Sequence, residues 1–496
     1  SATLDRFFET SPGDNIPAKV ATRVRFSYDD RHFYIAVEAD DPEPDRIRAP
    51  FVDRDQVFGT DDNIAILLDT RNDRRSALEL RVSPRGIQGD AVFNDASGNE
   101  DFAPDFFYDT AAKITAKGWQ AEYRIPFSSL RYPTADPQTW RVLVWRNYPR
   151  NFRYAFHSAP IPRDSNCFVC HAHELTGFRN LPSTKHLVAA PYASANGQWQ
   201  RQADSDAKYQ KESGQELGLD VKWNPTADSA LDATINPDFS QVEADEAQIS
   251  ANERFALDFP EKRPFFLEGV DLFDTPIRAV NTRSITSPGW GLRGTGKLGA
   301  TGYTLLLSED RGGGLVILPS ATFSDAALQD FRSRVAVGRV RQDLGRSFAG
   351  FLFTGREVEG GGHNWVFGPD FQWRPSEFDI VTGQFLWSDT ANPERQDLHP
   401  TFDGRESSGH GAFLSWSHQK RSYDWRLRAE TYGDDFRADT GFVTQVGGRD
   451  FQATYGRRFY PEQGLLRFVR AYVGAGAQRD TDNEALGHDY FAGVFF

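Results

Sequence analysis

The chain has 496 residues, with 70 Asp and Glu against 56 Lys and Arg, giving a formal net charge of −14. That balance argues against a nucleic-acid partner, which calls for a basic face. No run of about 18 apolar residues is present, which excludes a transmembrane helix, yet 40 Phe, 16 Tyr, 11 Trp and 42 Gly make the chain rich in aromatics and glycine. A polar average with many aromatics and no long apolar run is the composition of a transmembrane β-barrel, in which only alternate residues meet lipid; a large soluble all-β protein has the same composition. Two to four domains, or one domain and a large barrel, are expected from the length. Methionine is absent, for which there is no physical account, and without a start Met or signal peptide the chain reads as a processed or partial product.

The first 160 residues read as antiparallel β. "VRFSYDDRHFYIAVEA" (24–39) is a strand pair turning at Asp29-Asp30. "DDNIAILLDT" places Ile64, Ile66 and Leu68 on one face, and "ALELRVSPRG" repeats the pattern with Leu78, Leu80 and Val82. "GWQAEYRIPFSSL" and "WRVLVWRNYPR" add two more strands, so residues 1–164 are expected to form a β-sandwich. Its tryptophans, Trp119, Trp140 and Trp145, fall in strand patterns that suit a core better than a sugar platform.

Residues 165–185 read as a linker carrying both cysteines of the chain, in "SNCFVCHAHELTGF". Cys167, Cys170 and His171 spell Cys-x-x-Cys-His, which suits a short disulfide, covalent haem c with His171 as proximal ligand, or part of a metal site. His157 or His186 would be the distal haem ligand, since Met is absent, and zinc would add His173, crowding four ligands into seven residues. A disulfide between Cys167 and Cys170 is the expectation, closing a tight loop that fixes how the sandwich enters the following unit.

From 186 to 496 the strands alternate differently. Leu217, Leu219, Val221 and Trp223 oppose Gly218, Asp220 and Lys222; Tyr423, Trp425, Leu427 and Ala429 oppose Asp424, Arg426, Arg428 and Glu430. "SFAGFLFTG", "FDIVTGQFLW", "LLRFVRAYVGAGA" and the terminal "HDYFAGVFF" continue the series. An apolar face backed by charges is expected of a lipid-facing barrel whose interior is a wide, watered lumen. Residues 236–269, acidic and then aromatic, are either a large loop outside the membrane or a segment folded into the lumen as a plug.

The run "ATRVRFSYDDRHFYIAVEADDPEP", with "TDDNIAILLDT", "PRGIQGD" and "GWQAEYRIPFSSLRY", resembles the family-9 carbohydrate-binding module of the DOMON-like superfamily. "NPDFSQVEADEAQISANERFALDFPEKRPFFLEG" and "DRGGG" resemble bacterial proteins in which such a module precedes domain of unknown function 5916. The resemblance implies a Gram-negative cell-envelope protein: an all-β chain with an N-terminal antiparallel sandwich followed by an outer-membrane barrel. It implies membrane lipid and a carbohydrate or other small ligand as partners, and no known activity. Family members carry a further strand at the start of the module and are longer at the C-terminus.

Acidic loops at 40–45, 60–63 and 94–101 offer Asp40, Asp41, Asp61, Asp62 and Asp95 as calcium ligands, although none follows EF-hand spacing. Enzyme motifs are missing: "HELTG" has Gly177 where a zinc protease needs His, and no phosphate loop or nucleophile elbow is present. The expected function is therefore non-enzymatic ligand capture or passage at the cell surface, without a cofactor, with a haem- or metal-carrying envelope protein and a glycoside-hydrolase-associated protein as alternatives.

Overall fold

A computed structural model describes residues 2–95, 98–182, 187–201, 209–237, 256, 259, 261–269, 272–461 and 466–496. The chain is all-β apart from short helical turns such as Pro264–Leu267. In the N-terminal unit a five-stranded antiparallel sheet runs in the order Ala2–Leu4, Thr22–Tyr28, His32–Asp40, Gly118–Pro126 and Asp109–Thr115. It faces a second sheet centred on Gln138–Pro149, Asn63–Asp69, Ser76–Val82 and Gln88–Asn94. Alternate residues of the two sheets, Val24, Phe33, Ile35 and Val37 against Ile64, Ile66, Leu68 and Val144, make one core that also takes Trp119 and Trp140.

Two expectations for this unit change. Strand Asn63–Asp69 is buried on both faces rather than one, because Ala65, Leu67 and Leu143 pack under Val169 and Ala172 of the cysteine loop. Residues 165–185 are also more than a linker: His173–Phe178 pairs with Gln138–Pro149, so the sandwich sheet continues to Phe178.

The second unit is a single antiparallel sheet of 14 strands, from Leu187–Arg201 to Ala485–Phe495, in which each strand pairs with its neighbours in the sheet. Among the described residues no ladder joins the first strand to the last. Exposure on this wall is inverted relative to a soluble protein. In strand His363–Trp373, Trp365, Phe367, Phe371 and Trp373 are exposed while Asn364, Asp370 and Gln372 are buried. Leu305 is exposed beside buried Thr304, Ser308 and Asp310. From Trp365 to Trp373 the strand rises roughly 27 Å, or about 20 Å once tilted, close to the ~25 Å apolar band between aromatic girdles.

From strand Thr301–Asp310 to strand Asp379–Ala391 the inner face is not the open, watered lumen expected from its charges. Residues 261–269 and 272–285 fold back along it, and Phe266, Phe273 and Ile285 pack on Leu306, Val335 and Val337. Ile277 and Ala279 join Phe436, Ala438 and Val446 over Leu352, Val366 and Leu386. Several inward arginines then find protein acceptors. Arg339 pairs with Asp370 and donates to Leu272 O at 2.7 Å; Arg356 donates to Ser284 O at 2.8 Å; Arg263 donates to Ile285 O at 2.6 Å and Thr282 O at 2.8 Å. A guanidinium with five donors tolerates such burial when carbonyls and carboxylates surround it. Of the segment 236–269, the part from 261 onward therefore lies inside the wall, whereas most of 238–260 falls outside the described residues.

Candidate functional site

The two units meet at the end of the wall where its turns are short. Strand Ser333–Leu344 connects to Ser347–Val358 through Gly345 and Arg346, and Asp379–Ala391 follows His363–Trp373 after five residues. Ion pairs stitch these turns to the sandwich: Lys297 to Asp73 at 2.7 Å, Arg71 to Asp228 at 2.8 Å and Arg374 to Asp95 at 2.9 Å. Glu268, from the in-folded segment, reaches Arg131 of the sandwich at 3.1 Å and Lys222 of the wall at 2.5 Å. Burial by itself would raise this carboxyl; the two cations outweigh it and hold it down to about 2.

The cysteine loop sits at the centre of this junction. Cys167 and Cys170 are joined as a disulfide. The Asp95 carboxylate accepts Phe168 N at 2.6 Å and Val169 N at 2.9 Å, so the loop, the sandwich and the Arg374 turn share one buried carboxylate. Asn166 donates its backbone N–H to Glu377 O at 3.1 Å. Three of the candidate haem or zinc imidazoles have partners of their own. His171 Nε2 lies 2.8 Å from Ser165 Oγ, His173 Nε2 lies 2.8 Å from Ser158 O, and His157 Nδ1 lies 2.6 Å from Thr10 Oγ1. Burial lowers His157 to about 3. His186 falls outside the described residues.

Behind the loop a polar cavity of about 760 Å³ opens along the inner face, roofed by Ser165, Asn166 and Phe168 and floored by Ser417, Arg426 and Thr454. Asp424 at its side binds Arg458 at 3.0 Å and Arg470 at 2.6 Å. The Asp379 carboxylate on the adjoining strand accepts from Ser376 Oγ at 2.6 Å, Trp416 Nε1 at 3.0 Å and His418 Nδ1 at 2.8 Å. This combination of hydroxyls, guanidinium groups and aromatic edges can hold a polar ligand by hydrogen bonds.

The five aspartates weighed for calcium do not come together. Asp41 and Asp62 converge on Arg150, with Asp62 at 2.8 Å, so an internal guanidinium takes the place a metal would have. Asp40 is exposed and gives its carbonyl to Arg146 at 2.8 Å. Asp61 lies at a turn beside Thr60, and Asp95 holds Arg374. Among the described residues the acids that do cluster are Asp55, Asp90 and Asp105, which sequence reasoning missed because they are distant in the chain. Arg54 sits among them, 2.5 Å from Asp90 and 3.2 Å from Asp105. Among the described residues the sandwich has no exposed tryptophan platform: Trp119 and Trp140 are core, and Trp145 packs on His157 and Phe168.

The acid cluster makes the sandwich sensitive to pH. Burial raises Asp90 to about 6 despite the Phe106 N–H and Arg54. A carboxyl raised on folding stabilises the protein fully below its unfolded pKa and loses that contribution as pH rises through its folded value. Asp90 should therefore make the sandwich about 2 kcal/mol more stable near pH 4 than at pH 7. Urea unfolding followed by tryptophan fluorescence should show that dependence shrink in Asp90→Asn; an unchanged difference between the two pH values would remove Asp90 from the account.

The fold and junction define an all-β, two-unit chain in which a sandwich is docked on one end of an inside-out strand wall. Residues 183–276 match the family model described as a domain of unknown function, DUF5916. No curated protein matches the chain. Among solved structures, a Bacteroides uniformis protein proposed to bind carbohydrate aligns at 10% identity and TM-score 0.30, covering 35% of this chain and 85% of that one. OccK8 (OprE) of Pseudomonas aeruginosa aligns at 11% identity and TM-score 0.28, covering 86% and 85%. OmpT, an outer membrane protein of Vibrio cholerae, aligns at 7% identity and TM-score 0.25, covering 84% and 95%. Overlaps this loose add nothing to the ladders already described.

Proposed function

We propose that this chain is an outer-membrane protein whose wall anchors and feeds a ligand-capturing sandwich, and that it is not an enzyme. The inverted exposure of the wall carries the reading: Trp365, Phe367, Phe371 and Trp373 outside, Asp370 and Gln372 inside. In water that arrangement exposes apolar surface and buries charge, both unfavourable; in a bilayer both signs reverse. Packing of residues 261–269 and 272–285 against the inner face favours binding and gated passage over an open pore.

Loop lengths support an orientation. Outer-membrane barrels keep short turns in the periplasm and longer loops outside. The sandwich docks on the short-turn end, while the opposite end carries the 311–332, 392–405 and 433–447 connections. Our reading therefore has the sandwich in the periplasm, a departure from capture at the cell surface. Sugar is the ligand class that the family-9, DOMON-like resemblance implies, and the most exposed rings of the sandwich are Phe51 and Phe107 rather than tryptophans.

Labelling intact cells with a membrane-impermeant maleimide tests the orientation, because the native cysteines are tied up as a disulfide. Phe323→Cys, in the long-loop end, should label on whole cells. Phe51→Cys, in the sandwich, should label only after the outer membrane is permeabilised. The reverse pattern would invert the topology.

A further inference from the structure

A second cavity, of about 430 Å³, lies where the sandwich turn 72–75 meets the wall turn 344–347. Six arginines line it, Arg74, Arg75, Arg141, Arg341, Arg346 and Arg374, against two carboxylates, Asp73 and Glu174. So dense a basic lining stands out in a chain of net charge −14. Four of the six have acid partners: Arg141 pairs with Glu174, Arg374 with Asp95, and Arg75 and Arg341 share Asp343 at 3.0 and 3.4 Å. Asp73 is itself answered by Lys297. Among the described residues, Arg74 and Arg346 have no carboxylate partner, and both are exposed.

The paired arginines are also incompletely neutralised. Arg75 Nε and Arg341 Nε are buried against one oxygen of Asp343, at 3.0 and 3.4 Å, so a single carboxylate answers both guanidinium groups. Lys297 contacts the same carboxylate at 2.9 Å, and an oxyanion in the cavity would balance this excess of positive charge. Phe348 forms a floor on which the guanidinium groups of Arg75 and Arg341 lie, 5.6 and 5.4 Å from the ring centroid, which fixes them in place before any ligand arrives. Planar, pre-oriented guanidinium groups match the paired oxygens of carboxylate and phosphate.

We propose that this cavity binds a small organic or inorganic oxyanion, carboxylate or phosphate, at the junction between sandwich and wall. Its volume is within the range of small-molecule sites. Arg341, Phe348 and Gln372 belong to the inner face of the wall, so this part of the lining faces away from lipid. A ligand there would touch both units at once, and its binding would be coupled to how the sandwich seats. The proposal deepens the ligand-capture reading and rests on it for its purpose.

Calorimetric titration of the detergent-solubilised full chain at low salt, with citrate and separately with inorganic phosphate, tests it. Saturable binding of at least one probe is expected, weakened by added sodium chloride because the attraction is screened. The double variant Arg74→Gln/Arg346→Gln should bind at least tenfold more weakly, and Arg74→Lys/Arg346→Lys should recover part of the loss. Both side chains are exposed, so heat-modifiability of the variant serves as the folding control. Binding of citrate alone assigns the carboxylate class and of phosphate alone the phosphate class. No saturable heat with either probe, or equal affinity in the glutamine variant, would overturn the site. Since the wild-type chain must first pass the membrane-assembly assay, loss of binding is distinguishable from failure of the outer-membrane reading.

Discussion

Leu427→Arg should fail to assemble in the membrane. Leu427 is exposed at the middle of strand Tyr423–Tyr432, pairing with Trp416 on one side and Ala453 on the other, and its outward neighbours on the strand are Trp425 and Ala429. An arginine facing lipid at mid-depth costs roughly 2–4 kcal/mol, a large share of the stability of a folded domain. Arg426→Leu, one residue away, changes charge in the opposite sense but faces the cavity floor, where its loss strands no ion-pair partner among the described residues. The expected outcome in a heat-modifiability gel is a large drop in the folded band for Leu427→Arg and a nearly normal band for Arg426→Leu. Equal assembly of the two variants would refute the membrane assignment.

Arg374→Leu should release the cysteine loop from the wall. Asp95 and Arg374 are both almost fully buried, and the carboxylate also holds the N–H groups of Phe168 and Val169. Removing one partner of a buried pair leaves an uncompensated charge, at about 3–5 kcal/mol. Since 1.4 kcal/mol is a factor of ten in an equilibrium, opening of the 158–172 loop should rise by about 10²-fold or more. Limited proteolysis in that loop reports the open population when reclosing is fast. Arg374→Lys should restore much of the protection, and Arg374→Gln combined with Asp95→Asn should cost less than the two single changes added together. A cleavage rate unaltered by Arg374→Leu would mean that the disulfide loop is held by other contacts, Asn166 with Glu377 first among them.

The sequence by itself determined the all-β class, the sandwich before the wall, and which face of each wall strand is apolar. Period-two alternation is local: Tyr423, Trp425 and Leu427 against Asp424, Arg426 and Arg428 can be read without knowing any partner strand. It also singled out the cysteine pair, because spacing of three residues limits what two thiols can do. The tertiary structure alone decided the rest. Glu268 bridges Arg131 and Lys222, and Arg374 meets Asp95 some 280 residues away in the chain; no periodicity encodes a pairing over that distance. Inward charges looked like the lining of a watered lumen, since alternation reports only that a face is polar. Whether that face meets water or carbonyls depends on where residues 261–269 and 272–285 go, and that is set by the packing of Phe266, Phe273 and Ile285. The same limit applied to the aspartates: a cluster such as "TDDN" reads alike whether its cation is a metal or, as at Asp62, an arginine 88 residues away.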